Sequence, residues 1–231
     1  MKKVIKVIFI LTIFILGANA FSEAFKEVFN KEIYQFKKST EKNPNNPAAY
    51  IKLGNSYLSY GKYKEAIKTL TIASKLEPNR TETFYLLGKA YGGLGQHNKK
   101  IKLLEKTVRM EPNSAEARIR LGMANAIIKN HIKAIEIYEE AIKLDPEYPN
   151  LNYLLALSYY ISNKYNNAIP LLKHAINLNS RNGEAHHLLG LIYLKQDRYN
   201  EAIIQLQKAL TIDPNLAKSN RLKNVKLNKN L

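Results

Sequence analysis

The chain has 231 residues, with 36 Lys+Arg against 19 Asp+Glu and neither Cys nor Trp. That length means one or two domains with room for a buried core, and a charged fraction of 24% excludes wholesale disorder. Zero Cys excludes disulfides, zinc–thiolate sites, iron–sulfur clusters and thiol nucleophiles.

Residues 1–20 read as a signal peptide. Lys2, Lys3 and Lys6 form a basic start, Val7 to Leu16 an apolar run, and Ala18-Asn19-Ala20 a small-x-small cleavage site. The run is shorter than the roughly 20 residues a spanning helix needs. Export to a periplasm or the cell exterior is the expectation, with an uncleaved anchor over 4–21 as the alternative.

Residues 21–46 carry Phe21, Phe25, Val28, Phe29, Ile33 and Phe36 on one helical face. They are expected to form a capping helix, the second half of a repeat whose first helix is missing. Docking of these aromatics on a membrane or partner is the other reading.

From residue 47 a fixed spacing governs the chain. The pairs Leu53-Gly54, Leu87-Gly88, Leu121-Gly122, Leu155-Ala156 and Leu189-Gly190 lie 34 residues apart at every step. They define five blocks without insertion: 47–80, 81–114, 115–148, 149–182 and 183–216. Each block holds two stretches of apolar residues spaced three and four apart, the pattern of two helices. Gly or Ala at block position 8 and Ala at positions 20 and 27 allow close helix approach, and the large residues Leu70, Leu104, Tyr138, Leu172 and Leu206 fill the space between. Gly61, Gly95, Lys129, Asn163 and Asp197 fall in the interhelical turn, mostly residue types that tolerate positive φ. Pro78, Pro112, Pro146, Ser180 and Pro214 close the blocks. A single pair cannot bury its apolar face, so the pairs are expected to stack.

These columns resemble the tetratricopeptide repeat over all of 47–216. The family asks for a large apolar residue at position 4, which Tyr50 and Phe84 supply and Arg118, Asn152 and His186 do not. The resemblance implies an all-α fold, a right-handed solenoid of antiparallel helix pairs. It also implies a concave surface, lined by first-helix positions 2, 5, 9, 12 and 13, that holds a protein or peptide partner. Carried over, unit by unit of the repeat, that surface is Ile51, Asn55 and Leu58, then Glu82, Tyr85 and Lys89, then Glu116, Ile119 and Met123. It continues through Asn150, Tyr153, Leu157 and Tyr160 to Glu184, His187, Leu191 and Leu194. Position 12 is Gly92 and Ala126 in the second and third blocks. The surface is expected to be apolar and aromatic, and packing between neighbouring first helices is the competing use of the same residues. Some relatives clamp acidic C-termini with five such residues. Only Asn55 and Arg120 match, while Ile51, Leu86 and Glu116 occupy the other places, so that activity does not transfer.

Residues 217–231 form a basic tail with Lys218, Arg221, Lys223, Lys226 and Lys229 and no acid, expected to close the last repeat. Without the leader lysines the net charge is +14, concentrated in the first two repeats and this tail. Nucleic acid is not an expected partner, since neither exposed aromatics interleaved with the charge nor a known module appears. No catalytic signature stands out. The five histidines are scattered, Gly92-Gly93-Leu94-Gly95 lacks the strand and Lys-Ser/Thr of a phosphate loop, and Glu139-Glu140 is expected on an exposed surface. The chain reads as a non-enzyme with no cofactor, no metal and no small-molecule substrate. It is expected to be an exported scaffold, or a membrane-tethered module or accessory subunit of an envelope complex.

Overall fold

The computed structural model describes residues 27–218; the leader and most of the basic tail lie outside the described residues. Every element among them is helical. A first helix, α1, occupies 27–42. Five helix pairs follow: α2 (Pro47–Ser59) with α3 (Tyr63–Leu76), α4 (Thr81–Gly93) with α5 (His97–Met110), and α6 (Ala115–Ile127) with α7 (His131–Leu144). The last two are α8 (Leu151–Ile161) with α9 (Tyr165–Leu178), and α10 (Gly183–Lys195) with α11 (Tyr199–Ile212), after which Pro214–Lys218 makes a 3-10 turn. The repeats fall into two compact units divided after Met110.

Within each unit the helices alternate in the same way. A first helix packs on its own second helix and on the second helix of the preceding repeat, as α4 does on α5 and α3 and α8 on α9 and α7. First helices also adjoin one another: α2 with α4, and α6, α8 and α10 in sequence. Within each unit the second helices therefore stand apart from the row of first helices.

The small residues sit where the helices meet. Ala66, Ala134, Ala168 and Ala202 have no exposed surface. A Cβ added at Gly54 would stand 2.5 Å from Leu70, and one at Gly122 would stand 2.4 Å from the Tyr138 ring. Block position 8 thus faces position 24, and the residue at 8 is small because the one at 24 is large. The second repeat breaks the Ala pattern with Lys100, and it compensates locally. The Lys100 stem runs over the glycine at position 12, its Cδ 3.1 Å from a Cβ built on Gly92.

The interhelical turn uses the left-handed region in all five repeats: φ is +68° at Gly61, +71° at Gly95, +63° at Lys129, +58° at Asn163 and +57° at Asp197. A sixth positive φ, +63° at Asn150, has no counterpart in the other repeats. In three repeats the residue before the first helix caps it: Asn46 accepts from the Ala48 N–H, Ser114 from Ala117 and Asn182 from Ala185. The fourth repeat has Tyr148 there, whose side chain has no oxygen in capping reach. Its chain turns through Asn150 instead, and α8 starts two residues late.

In unit 1, α1 adds Ile33 to a core with Leu53, Leu70 and Leu87, and Phe29 and Phe36 pack against it. The Phe29 ring lies 4.4 Å from Tyr60, whose hydroxyl donates to Glu32 at 3.1 Å. Val28 and Tyr34 face outward. Thr83 on α4 is fully buried and its hydroxyl has no partner among the described residues. Thr83→Val keeps the shape and removes the unpaired group. It is expected to stabilise unit 1 by about 1 kcal/mol, read as a higher urea midpoint at unchanged m-value. A lower midpoint would show the hydroxyl to be bonded.

Candidate functional site

Positions 5, 9 and 12 or 13 are spaced by four and three or four residues, so on a first helix they share one stripe. The two units use that stripe differently. In unit 1, Ile51 and Leu58 are buried, Tyr85 is half-buried against the core, and the exposed residues are Asn55, Ser59, Glu82, Lys89 and Gly93. The accessible part of this face is polar, contrary to the apolar surface expected from the sequence. The cause is the side-by-side packing of α2 and α4, which takes the apolar residues into the core.

In unit 2 the stripe is graded. On α6, Ile119 is buried, but Met123 is 44% and Ile127 53% exposed. On α8, Tyr153, Leu157 and Tyr160 are half-buried, and Ile161 is 46% exposed. On α10, His187 and Leu191 are buried and Leu194 is half-buried. Glu116 and Glu184 stand exposed at the helix starts. An accessible apolar strip therefore crosses α6 and α8 and closes at α10. Ile127 and Ile161, at position 13, belong to it although the sequence reading assigned no residue there. Their signal was available, since each follows Met123 or Leu157 by four. Asn150 is not on this strip. It lies at the N-cap of α8 and lines a cavity of about 310 Å³ with Tyr148, Asn152, Asn179 and Asn182.

The three departures at position 4 share one role. Arg118 donates to the carbonyl of Pro112, Asn152 to that of Pro146 at 3.1 Å, and His186 Nε2 lies 3.3 Å from that of Ser180. In every case the acceptor is six residues back, in the turn that ends the preceding repeat. Nδ1 of His186 sits 2.7 Å from Gln205 Oε1. These polar residues replace the apolar side chain by tying the start of each first helix to the turn before it.

Two pairs of polar residues make contacts that were not read from the sequence. Glu139 and Glu140 are not idle surface acids: Glu139 accepts from the Tyr159 hydroxyl, and Glu140 pairs with Arg118 at 3.1 Å. Likewise Glu116 and Arg120, which occupy places in the carboxylate clamp of some relatives, are ion-paired with each other. Among the described residues, no three His, Asp or Glu gather as metal ligands, and no helix is long and apolar enough to cross a membrane.

Burial, and then the Glu139 carboxylate, push the Tyr159 phenol up to about 12; burial alone raises Tyr138 as well. A phenol whose proton is held more tightly in the folded state stabilises the fold below the ordinary value near 10, and that stability is lost as pH rises through 12. Unfolding midpoints are therefore expected to fall between about pH 10 and 12, less steeply in Tyr159→Phe, with absorbance at about 295 nm reporting late-ionising tyrosines. A full complement of tyrosines titrating near 10 in the folded protein would contradict this.

Models of the tetratricopeptide repeat match residues 36–68, 54–95 and 85–149, and a model of the anaphase-promoting complex, cyclosome, subunit 3, matches 128–209. A crystal structure of MamA is 31% identical over 72% of this chain and 97% of its own, with a TM-score of 0.66. The chain belongs to the tetratricopeptide repeat family. MamA from Desulfovibrio magneticus RS-1, at 23% identity, superposes over 73% of this chain and 95% of its own with a TM-score of 0.68. YrrB, described as a tetratricopeptide repeat protein with an unusual peptide-binding site, shares the fold at 18% identity, covering 78% of this chain and 92% of its own, with a TM-score of 0.66. No curated protein matches the chain. As a member of the family it is an all-α solenoid of helix-pair repeats.

Proposed function

We propose that this tetratricopeptide repeat protein is an exported, non-catalytic scaffold that captures a segment of another protein on the first helices of unit 2. The observation that carries the reading is the strip of Met123, Ile127, Leu157 and Ile161, flanked by Tyr153 and Tyr160. These are large apolar side chains left wholly or partly open on adjacent helices, where a solvated surface would carry polar ones. A strip of this kind suits an amphipathic helix or an extended apolar segment. Tyr160 and Tyr165, with ring centroids 5.8 Å apart, give one edge of it a stiff wall. The peptide-binding site named for YrrB supports a protein or peptide as the ligand class. Export rests on the leader pattern of residues 1–20.

Leu157→Glu places a charge in the middle of the strip and is expected to weaken capture of the native partner at least about tenfold, with helical content unchanged. Ile132→Glu, on the exposed face of α7, is the control and leaves capture intact. The measurement is crosslinked capture from the native envelope, compared between the two variants. Equal recovery by both would remove the strip from consideration. Mass determination of the mature N-terminus tests cleavage after Ala20.

A further inference from the structure

The positive charge is not spread over the second helices. On α3, Lys64, Lys68 and Lys75 face a single acid, Glu65. On α5, five cations from Lys99 to Arg109 face only Glu105. The second helices of unit 2 are balanced: Lys133 and Lys143 against three glutamates on α7, Lys173 alone on α9, and Lys208 against Glu201 on α11. A lysine-rich composition acting only as a solvating coat would have filled all five alike.

Three of the α5 lysines are occupied: Lys100 over Gly92, Lys106 with its ammonium 3.8 Å from the centre of the Phe84 ring, and Lys99 with its ammonium 5.2 Å from the centre of the Tyr91 ring. The remaining five, Lys64, Lys68, Lys75, Lys102 and Arg109, are exposed, and none makes an ion pair among the described residues. Ile72 and Leu76, 43% and 37% exposed, stand among the α3 lysines. We propose that this outer face of unit 1 docks on a membrane surface of anionic lipid. Clusters of four to eight Lys and Arg bind such surfaces at about 1 kcal/mol each, and exposed Ile and Leu between them enter the headgroup layer. On the reading of residues 1–20 as a leader, the apolar segment 4–21 would engage a membrane as signal or as anchor, and only residues 22–26 separate it from the described start of α1. That span reaches at most about 20 Å, so unit 1 is the unit held near the bilayer while 4–21 remains. The face is distinct from the apolar strip of unit 2, and either can fail alone.

The test uses the full chain on phosphatidylcholine vesicles with and without about 30% phosphatidylglycerol. Because an apolar leader would bind a bilayer of either composition, the readout is the difference between the two vesicles. The wild-type protein is expected to prefer anionic vesicles at least about tenfold at about 50 mM salt and to lose most of that preference at about 300 mM. Lys68→Gln/Lys102→Gln/Arg109→Gln removes the preference at least about tenfold, whereas Lys143→Gln/Lys173→Gln/Lys208→Gln, of equal net charge, changes it less than about threefold. No wild-type preference for anionic vesicles overturns the proposal, as does an equal loss in both triple variants. Capture of polyglutamate by the wild type without vesicle binding would assign the face to an acidic protein and overturn it too.

Discussion

Gly122→Ala is expected to destabilise unit 2 by about 1–3 kcal/mol, and the same substitution made beside Tyr138→Leu to cost close to nothing. The new Cβ would stand 2.4 Å from Cε1 and 2.7 Å from Cδ1 of Tyr138, a ring that is 1% exposed and has nowhere to retreat. The fourth repeat already carries the relieved version, with Ala156 and Leu172 both fully buried at the equivalent positions. The two substitutions are therefore coupled, by about 1–2 kcal/mol in a double-mutant cycle read from urea midpoints. Gly88→Ala is the internal control. Its Cβ would meet Lys100 and Leu104 no closer than 3.7 Å, so the gain in helix propensity makes it neutral or stabilising by up to about 1 kcal/mol. Additive costs at Gly122 and Tyr138 would mean that positions 8 and 24 do not face each other.

That facing pair shows why so much of the fold is legible in the sequence. Positions 8, 20, 24 and 27 lie in contacts within a repeat, and the 34-residue spacing presents each contact five times. Even the turn conformation could be read, down to Lys129, whose side chain gives no hint of positive φ but whose column does. What the spacing could not give is any feature that one repeat does not share with the others. The late start of α8 at Asn150 is one such feature. The carbonyl contacts of Arg118, Asn152 and His186 are another, because they look like three unrelated departures until the common acceptor six residues back is seen.

The candidate site was legible only in outline for a related reason. Column membership says that Ile51, Ile119 and Leu157 lie on one stripe, but exposure depends on the neighbours each helix has. Met123, Leu157 and Leu191 share position 9, yet they are 44% exposed, half-buried and 8% exposed, so identical register yields surface in one repeat and core in another. The unequal charge of the second helices could be counted from sequence, yet which lysines remain unoccupied required Gly92, Phe84 and Tyr91 to be placed beside Lys100, Lys106 and Lys99.

Pro170→Ala is expected to stabilise unit 2 by between about 1 and 3 kcal/mol, a gain that no feature of the repeat pattern announces. Pro170 is the sixth residue of α9, past the first turn where a missing N–H costs nothing, so the carbonyl of Asn166 cannot receive its usual bond from residue 170. Both residues are exposed, which lets water serve that carbonyl and explains how the helix survives the loss. The equivalent positions on the other second helices are Lys68, Lys102, Glu136 and Ile204, none of which interrupts the backbone ladder. Restoring the bond should raise the urea midpoint and slow amide exchange in α9 by roughly 5- to 150-fold, the range that 1–3 kcal/mol corresponds to. Partner capture should not change, because the apolar strip lies on α6 and α8 and Pro170 on the second-helix row. A variant with faster exchange in α9 would show that the proline is compensated by contacts its replacement loses. One that alters capture would show that the two rows of unit 2 are not energetically separate.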